Sequence, residues 1–346
     1  MAQAKKARAP RNKTITLSDG EVSLYHSRCV RVDKATSLES ILNKTINQDV
    51  FEVLQWLPSA SVDLIFADPP YTLHKSFNGR TFSWKTLEGY EDYLETWLPQ
   101  LVRLLKPNGT LYICGDWRSS SAIHRVAKKY LKVQNRITWE REKGRGAKSN
   151  WKNSSEDIWF CTKSDDYVFN LEDVKMKRRV IAPYKDKKGR PKDWESTQDG
   201  NFRLTHPSNL WTDLTVPFWS MSENTDHPTQ KPEKLVAKAI LASSNVGDTV
   251  LDPFSGSGTA CVVAKKLKRN YIGIEIDKLF SSLIEKRLEM AEEEQTIQGY
   301  QDSVFLERNT FALQQKSNRR DTKKRMRRES KDPPALTDQE IPLFSK

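Results

Sequence analysis

Four consecutive residues, Asp68-Pro69-Pro70-Tyr71, place an acidic acceptor, a stiff backbone and an aromatic ring side by side. Such a string arises by chance in a chain of this length on the order of a few times per thousand, too seldom to treat as accident. Two prolines restrict the backbone so that the Asp68 carboxylate and the Pro69 carbonyl, both acceptors, can converge on one point. An exocyclic amino group, with two N–H donors, fits that point. Holding both hydrogens draws the nitrogen toward tetrahedral geometry and frees its lone pair for in-line attack on a sulfonium methyl group. Tyr71 would stack on the ring that carries the amine. The alternative reading is a rigid turn with an aromatic plug.

A second constellation is Asp252-Pro253-Phe254-Ser255-Gly256-Ser257-Gly258-Thr259, with Glu275 further on. Glycines at a turn let backbone amides approach a ligand closely, and an acidic residue ending the next strand can bind ribose hydroxyls, as in nucleotide-binding α/β folds. Gly256 and Gly258 lack the third glycine of the G-x-G-x-x-G fingerprint, because Thr259 follows directly. A glycine pair at a strand-to-helix turn also serves tight packing alone.

Positioning these groups requires strands that end where they begin. Residues 62–68 form a short apolar run stopped by the double proline, which predicts a buried strand with Asp68 at its carboxyl end. A helix over 90–105 closes at the stop signal Lys106-Pro107-Asn108-Gly109, followed by a strand at 110–114, a helix at 120–132 and strands at 136–139 and 157–162. A second block predicts helices at 232–243, 258–267 and 277–293 and strands at 249–252 and 271–275. This alternation argues for a parallel, doubly wound α/β sheet, which binds ligands at the carboxyl ends of its strands. Residues 164–220 show no clear period and read as an insertion. The chain thus divides into a basic tail (1–13), a catalytic part (14–163), the insertion (164–220), a cofactor-binding part (221–300) and a basic, disordered tail (301–346).

The 346 residues carry 57 basic and 45 acidic side chains, a net charge of +12 that suggests a polyanionic partner. Its distribution narrows that inference. Residues 1–13 carry five basic groups and no acidic one, residues 316–331 carry nine against two, and 14–315 are left at +2. Such tails bind any polyanion through counterion release and carry no sequence information. Within the body, 174–194 hold nine basic against two acidic side chains, interleaved with Tyr184 and Trp194. There is no run of about 18 apolar residues to span a membrane. Nor does an apolar segment follow the basic start, as a secretory signal would require. Cys29, Cys114, Cys161 and Cys261 lie far apart and share no zinc-ligand spacing with the five histidines. Free thiols in the cytoplasm, and no metal, are therefore expected.

Taken in order, Asp68-Pro69-Pro70-Tyr71, His227-Pro228-Thr229-Gln230-Lys231-Pro232 and the 252–259 turn resemble the β-class DNA amino-methyltransferases of bacterial restriction-modification and solitary methylation systems. The resemblance covers residues 45–295, roughly, and implies a Rossmann-like sheet that uses S-adenosylmethionine, with the catalytic motif ahead of the cofactor motif. By position it implies that Asp252, Phe254, Gly256 and Gly258 frame the methionine part of the cofactor, with Ser255, Ser257 and Thr259 in the same turn. Glu275 would hold the ribose, Thr229 and Lys231 would lie near the cofactor carboxylate, and Asp49 near its adenine. The chain departs from the family in having Gln48 before Asp49 and Thr72 after Tyr71. Members with Asp at the first catalytic position usually methylate adenine N6 and those with Ser usually cytosine N4, so Asp68 implies adenine. A carboxylate also accepts a stronger, charge-assisted hydrogen bond than a hydroxyl does.

Double-stranded DNA as substrate requires the target base to leave the helix. Residues 72–88, with Lys75, Phe77 and Arg80, follow Tyr71 directly and read as a loop that closes on the flipped base. Lys143, Arg145, Lys148 and Trp151 belong to a basic, glycine-rich loop suited to phosphate. Lys177, Arg178 and Arg179 lie in the insertion, which is assigned to target recognition by elimination. Residues 339–344 loosely resemble the peptides by which bacterial replication proteins dock on the sliding clamp. Family kinship is compatible with a cognate restriction endonuclease as partner, with a monomer or a homodimer, and with a bacterial or phage-encoded protein at the nucleoid. The competing readings are a cytosine-N4 enzyme and, from another class, a non-catalytic DNA-binding protein on the same fold.

Overall fold

The computed structural model describes residues 9–71, 75–77, 80–82, 86–141, 149–180, 184–190, 192–197 and 200–307, with the backbone alone at 75–77 and 80–82. These residues form two compact units, one drawing on the chain up to 176 and on 205–305, the other on 177–204 and the chain from 306. The first unit opens with α1 (Asp19–His26), α2 (Leu38–Ile41), β1 (Lys44–Ile46), α3 (Val50–Val53) and β2 (Val62–Ala67). A short hairpin, β3 (Lys75–Phe77) and β4 (Arg80–Phe82), precedes α4 (Leu87–Leu104), β5 (Leu105–Gly115), α5 (Ser120–Tyr130), β6 (Lys132–Glu140) and β7 (Ser155–Thr162). Nearly all of β8 (Met176–Arg179), β9 (Glu195–Thr197) and β10 (Gly200–Thr205) belongs to the second unit. The chain then supplies the first unit with β11 (Leu210–Trp211), α6 (Glu233–Ser243), β12 (Thr249–Asp252), α7 (Thr259–Lys266), β13 (Asn270–Ile274) and α8 (Lys278–Glu293). Last come β14 (Tyr300–Gln301) and β15 (Val304–Leu306).

Eight strands make one sheet in the order β1-β13-β12-β2-β5-β7-β6-β11. From β1 to β5 every neighbouring pair is parallel, as the alternating pattern predicts. The sheet departs from a fully parallel one at β7, which runs against both β5 and β6. β6 and β7 are consecutive in the chain and pair antiparallel, from Lys132 opposite Thr162 to Glu140 opposite Ser155, the pairing open to strands that no crossover separates.

Both faces of the sheet are covered, which explains the continuous apolar run in β2. Leu64 and Phe66 join a core with Leu235, Val262 and Ile284 of α6, α7 and α8, while Ile65 and Ala67 join one with Leu94, Trp97 and Ile123 of α4 and α5. Residues alternate between the two cores with the period of two that a strand imposes. α4 buries Tyr90, Tyr93, Leu94, Trp97, Leu98, Leu101 and Leu104 along one stripe, and the Thr86 hydroxyl accepts the Gly89 N–H at its start. The helix ends ahead of its expected stop at 106–109: Leu105 is already extended and pairs with Val62. Lys106, which precedes Pro107, is disfavoured in helical backbone, so the strand takes over there.

Two expected boundaries shift. Residues 164–176 and 205–220 fold with the first unit, so of the 164–220 insertion only 177–204 belongs to the second. The expected tail begins with structure: Gln301 ends β14, Val304–Leu306 form β15, and Phe305 is fully buried. The flanking 1–8 and 308–346, with the basic run 316–331 and the 339–344 peptide, lie outside the described residues. Among the described residues no helix is long and apolar enough to cross a membrane, no group of acidic, histidine or cysteine side chains is placed to hold a metal, and all four cysteines are free thiols.

Candidate active site

β12 and β2 are neighbours in the sheet, with Val250 beside Leu64 and Leu251 beside Ile65. Their carboxyl ends therefore deliver Asp252 and Asp68 to the same edge, although the two lie far apart in sequence. A cavity of about 420 Å³ opens there, a size ordinary for small-molecule sites. It is lined by Asp68, Pro69, Pro70 and Tyr71, by Asp49, Thr229, Lys231 and Glu275, and by Asp252, Phe254, Ser255, Gly256, Ser257 and Thr259. Of the expected catalytic and cofactor residues, Gly258 alone is not on the cavity wall. Gly258 precedes α7 with φ +76°, and a Cβ there would lie 2.7 Å from Ile284 Cγ1. A glycine at this position lets the turn pack closely against α8. Gly256, at φ +51°, leaves open a space that a Cβ would close, 2.9 Å from His227 Nε2.

Glu275, Asp252 and Asp49 are three of the acids on the cavity wall. Glu275, just beyond β13, accepts the Gly256 N–H at 2.7 Å and the Asp277 N–H at 2.8 Å. Burial nevertheless pushes its carboxyl up to about 7, against the pull of those N–H groups. Burial likewise raises Asp252 well above the usual carboxylate range, although the Phe254 N–H at 3.1 Å opposes it. Asp49 caps α3 by accepting the Phe51 N–H at 3.1 Å.

Asp68 is the centre of a tighter cluster. Its Oδ1 accepts the Tyr71 hydroxyl at 2.5 Å and its Oδ2 accepts the Lys231 ammonium at 2.6 Å. The same Lys231 Nζ lies 3.0 Å from the Tyr71 oxygen, 5.4 Å from the Tyr71 ring centroid and 3.4 Å from Glu156 Oε2. Glu156 is bound in turn by Arg141, 2.5 Å from its other oxygen. Burial alone would lower the Lys231 pKa, but Asp68 and then Glu156 outweigh it and hold the lysine above its ordinary value. Burial first, then the Asp68 charge, raises the Tyr71 phenol, so it stays a neutral donor. The ammonium expected beside a cofactor carboxylate thus points at Asp68 and Glu156.

Several cavity residues were given no individual role by the sequence. Glu156 is one. Tyr93 reads as part of the apolar stripe of α4, yet it also lines the cavity beside Phe51, with ring centroids 6.1 Å apart. His227 packs edge-on against Phe280 at 4.5 Å, and burial lowers its pKa to about 4, which keeps it neutral.

The expected DNA contacts fall in three separate segments of the chain. Lys75 pairs with Phe82 and Phe77 with Arg80 across the β3–β4 hairpin. Trp151 stands 94% exposed. Lys143, Arg145 and Lys148 lie outside the described residues. In the second unit, β8 carries Lys177, Arg178 and Arg179, with the Lys177 ammonium 5.1 Å from the Phe202 ring centroid.

The acids have a consequence for stability. Besides Glu275, Glu223 is pushed up to about 8 by burial and then by the charge of Glu233. A group whose pKa is raised on folding stabilises fully below its unfolded value, here 4.5, and that contribution is lost as pH rises through the folded value. His227 acts oppositely: its contribution is present above 6.5 and lost as pH falls toward about 4. Urea unfolding of the cofactor-free protein should therefore show stability falling by on the order of 2 kcal/mol between pH 6 and 8.5. Equal stabilities at the two pH values would contradict this.

Comparison with known proteins places this geometry. The family model described as DNA methylase matches residues 62–286. The DNA adenine methyltransferase YhdJ of Escherichia coli K12 is 34% identical over 257 residues, covering 71% of this chain and 82% of that protein. The type II methyltransferase M.HpaI of Haemophilus parainfluenzae is 34% identical over 249 residues, 71% of this chain and 74% of its own. The solved structure of the cytosine-N4-specific PvuII DNA methyltransferase shares the fold at 17% identity, with a TM-score of 0.50 over 76% of this chain and 94% of that one. A family match across most of the chain, running from β2 through most of α8, and two relatives at this identity make the chain a member of the DNA methylase family.

Proposed function

We propose that the chain transfers a methyl group from S-adenosylmethionine to N6 of an adenine flipped out of double-stranded DNA in the cytoplasm. The observation that carries the reading is the shared cavity: Asp68 and Tyr71 at the end of β2 face the same space as the Gly256 turn and Glu275. Family membership supplies DNA methylation as the reaction, and Asp68 favours adenine, as does the activity named for the relative YhdJ.

The cavity fits the proposed cofactor. Gly256 leaves backbone open where a side chain would intrude, and the buried carboxyl of Asp252 with the half-buried one of Glu275 suits a ligand rich in N–H and O–H donors. Glu275 is assigned the ribose, Asp49 and the aromatic residues near it the adenine, and Asp252 with Phe254 the methionine part. S-adenosylmethionine, when bound, supplies an electrophilic sulfonium methyl group. Asp68 accepts an N–H of the target amine, which raises the electron density on nitrogen, and Pro69-Pro70 holds that acceptor in place. Tyr71 offers its ring face to the base. Flipping costs a few kcal/mol, which stacking and phosphate contacts offset. We assign those contacts to Lys75, Phe77 and Arg80 of the hairpin, to the 143–151 loop and to Lys177, Arg178 and Arg179 of the second unit.

Nucleoside mass spectrometry of DNA from methylation-deficient cells expressing the gene tests the reading. N6-methyl-2′-deoxyadenosine is expected. N4-methylcytosine in its place would overturn the base assignment, and unmodified DNA would overturn the activity.

A further inference from the structure

The acceptor assigned to the target amine is already taken in the free enzyme. Asp68 spends Oδ1 on Tyr71 and Oδ2 on Lys231. The Lys231 ammonium lies near the Tyr71 ring, 5.4 Å from its centroid, where a stacked base would come. Ammonium and aryl amine are both N–H donors, so they compete for one place. Two further features show where the ammonium can go. Glu156 Oε2 is 3.4 Å from it, and a side cavity of about 170 Å³ is walled by both Lys231 and Glu156, each of which also lines the main cavity. The Lys231 backbone is fixed, its carbonyl accepting the Thr259 hydroxyl at 3.2 Å. Motion is therefore confined to the flexible four-carbon stem.

We propose that Lys231 is a latch: it occupies the amine site on Asp68 in the free enzyme and swings onto Glu156 when the target amino group arrives. The inference rests on the reading of Asp68 as acceptor for that amine. No covalent bond is made or broken, and the charge of the cluster stays balanced, since Asp68, Glu156, Arg141 and Lys231 keep two charges of each sign in both states. A base without an exocyclic amine cannot replace the ammonium and leaves the latch shut, which makes Lys231 and Glu156 positioning and specificity residues.

The test is a double-mutant cycle on the cofactor-free protein, read as binding preference for adenine over purine at the target position, opposite an abasic site, in an oligonucleotide carrying the methylated sequence mapped from cellular DNA. Glu156→Gln removes the receiving charge and should lower that preference about tenfold. In a Lys231→Met background the same change should alter it by less than about twofold, and Glu156→Asp should restore it. Arg141 loses its partner in both backgrounds, so its effect cancels. A preference untouched by Glu156→Gln, or lowered equally in both backgrounds, overturns the latch. Failure of the underlying reading shows separately, as a wild-type protein with no preference for adenine and no N6-methyladenine in cellular DNA.

Discussion

Asp68→Ala is expected to reduce methyl transfer by about 10²–10⁴-fold, the range for removing a positioned acceptor from the reacting group. The loss should fall on kcat, because DNA affinity rests largely on phosphate contacts that the substitution leaves alone. The structure argues against misfolding as the source of the effect. Asp68 follows the last residue of β2 with 20% of its side chain exposed, and Lys231 retains Glu156 at 3.4 Å when Asp68 is gone. Asp68→Asn keeps an amide oxygen as acceptor but loses the charge, and its deficit should be the smaller of the two. Single-turnover assays with a melting curve for each variant separate chemistry from fold. An Asp68→Ala protein that folds and methylates within about tenfold of wild type would remove Asp68 from the mechanism.

The parts of this site written as contiguous strings were legible in the sequence: Asp68 to Tyr71, the 252–259 turn, and Glu275 after an apolar strand. Local rules suffice for such strings, because a strand that stops at two prolines must present its last side chains at an edge. Strand order was not legible, and it is strand order that sets Val250 beside Leu64 and brings the two strings together. Glu156 shows the limit most clearly. It became a site residue because β7 is reversed, so that the start of β7 lies at the carboxyl end of β5, with Asp157 opposite Gly115. In a fully parallel sheet the same residue would sit at the far edge, and no periodicity distinguishes the two cases. Lys231 was found by its motif, but the direction of a flexible ammonium follows from the acids around it. The charge of the chain was the least informative feature. Much of it lies in terminal segments, while the cluster that matters holds Asp68, Glu156, Arg141 and Lys231 in balance.

Arg287→Met is expected to cost about 3–5 kcal/mol of stability, the usual penalty for breaking a buried ion pair on one side. The Arg287 side chain is 1% exposed and reaches from α8 to Glu233 Oε1 at 3.0 Å, and also to the Ser257 carbonyl at 2.7 Å. Glu233 is held besides by Lys266 at 2.7 Å, and its own backbone N–H is donated to Glu223 Oε2 at 2.6 Å. Two acids and two bases therefore share one buried cluster, and methionine would leave both acids with Lys266 alone. Folding domains have only about 5–15 kcal/mol to lose, so the melting temperature should drop by roughly 10 °C. The deficit should also depend on pH. Below the raised value of about 8, Glu223 takes up a proton in the fold and Arg287 has less negative charge to balance, so the penalty should be smaller at pH 6 than at pH 9. Arg287→Lys keeps the charge but not the planar fork that spans Glu233 and the Ser257 carbonyl, and should lie between the two. Because that carbonyl belongs to the glycine turn, cofactor affinity should fall alongside stability. Urea titrations at both pH values, with cofactor binding followed by calorimetry, measure each effect. An Arg287→Met protein as stable as wild type at pH 9 would show that the turn is held by its glycines and strand pairing without the ion pair.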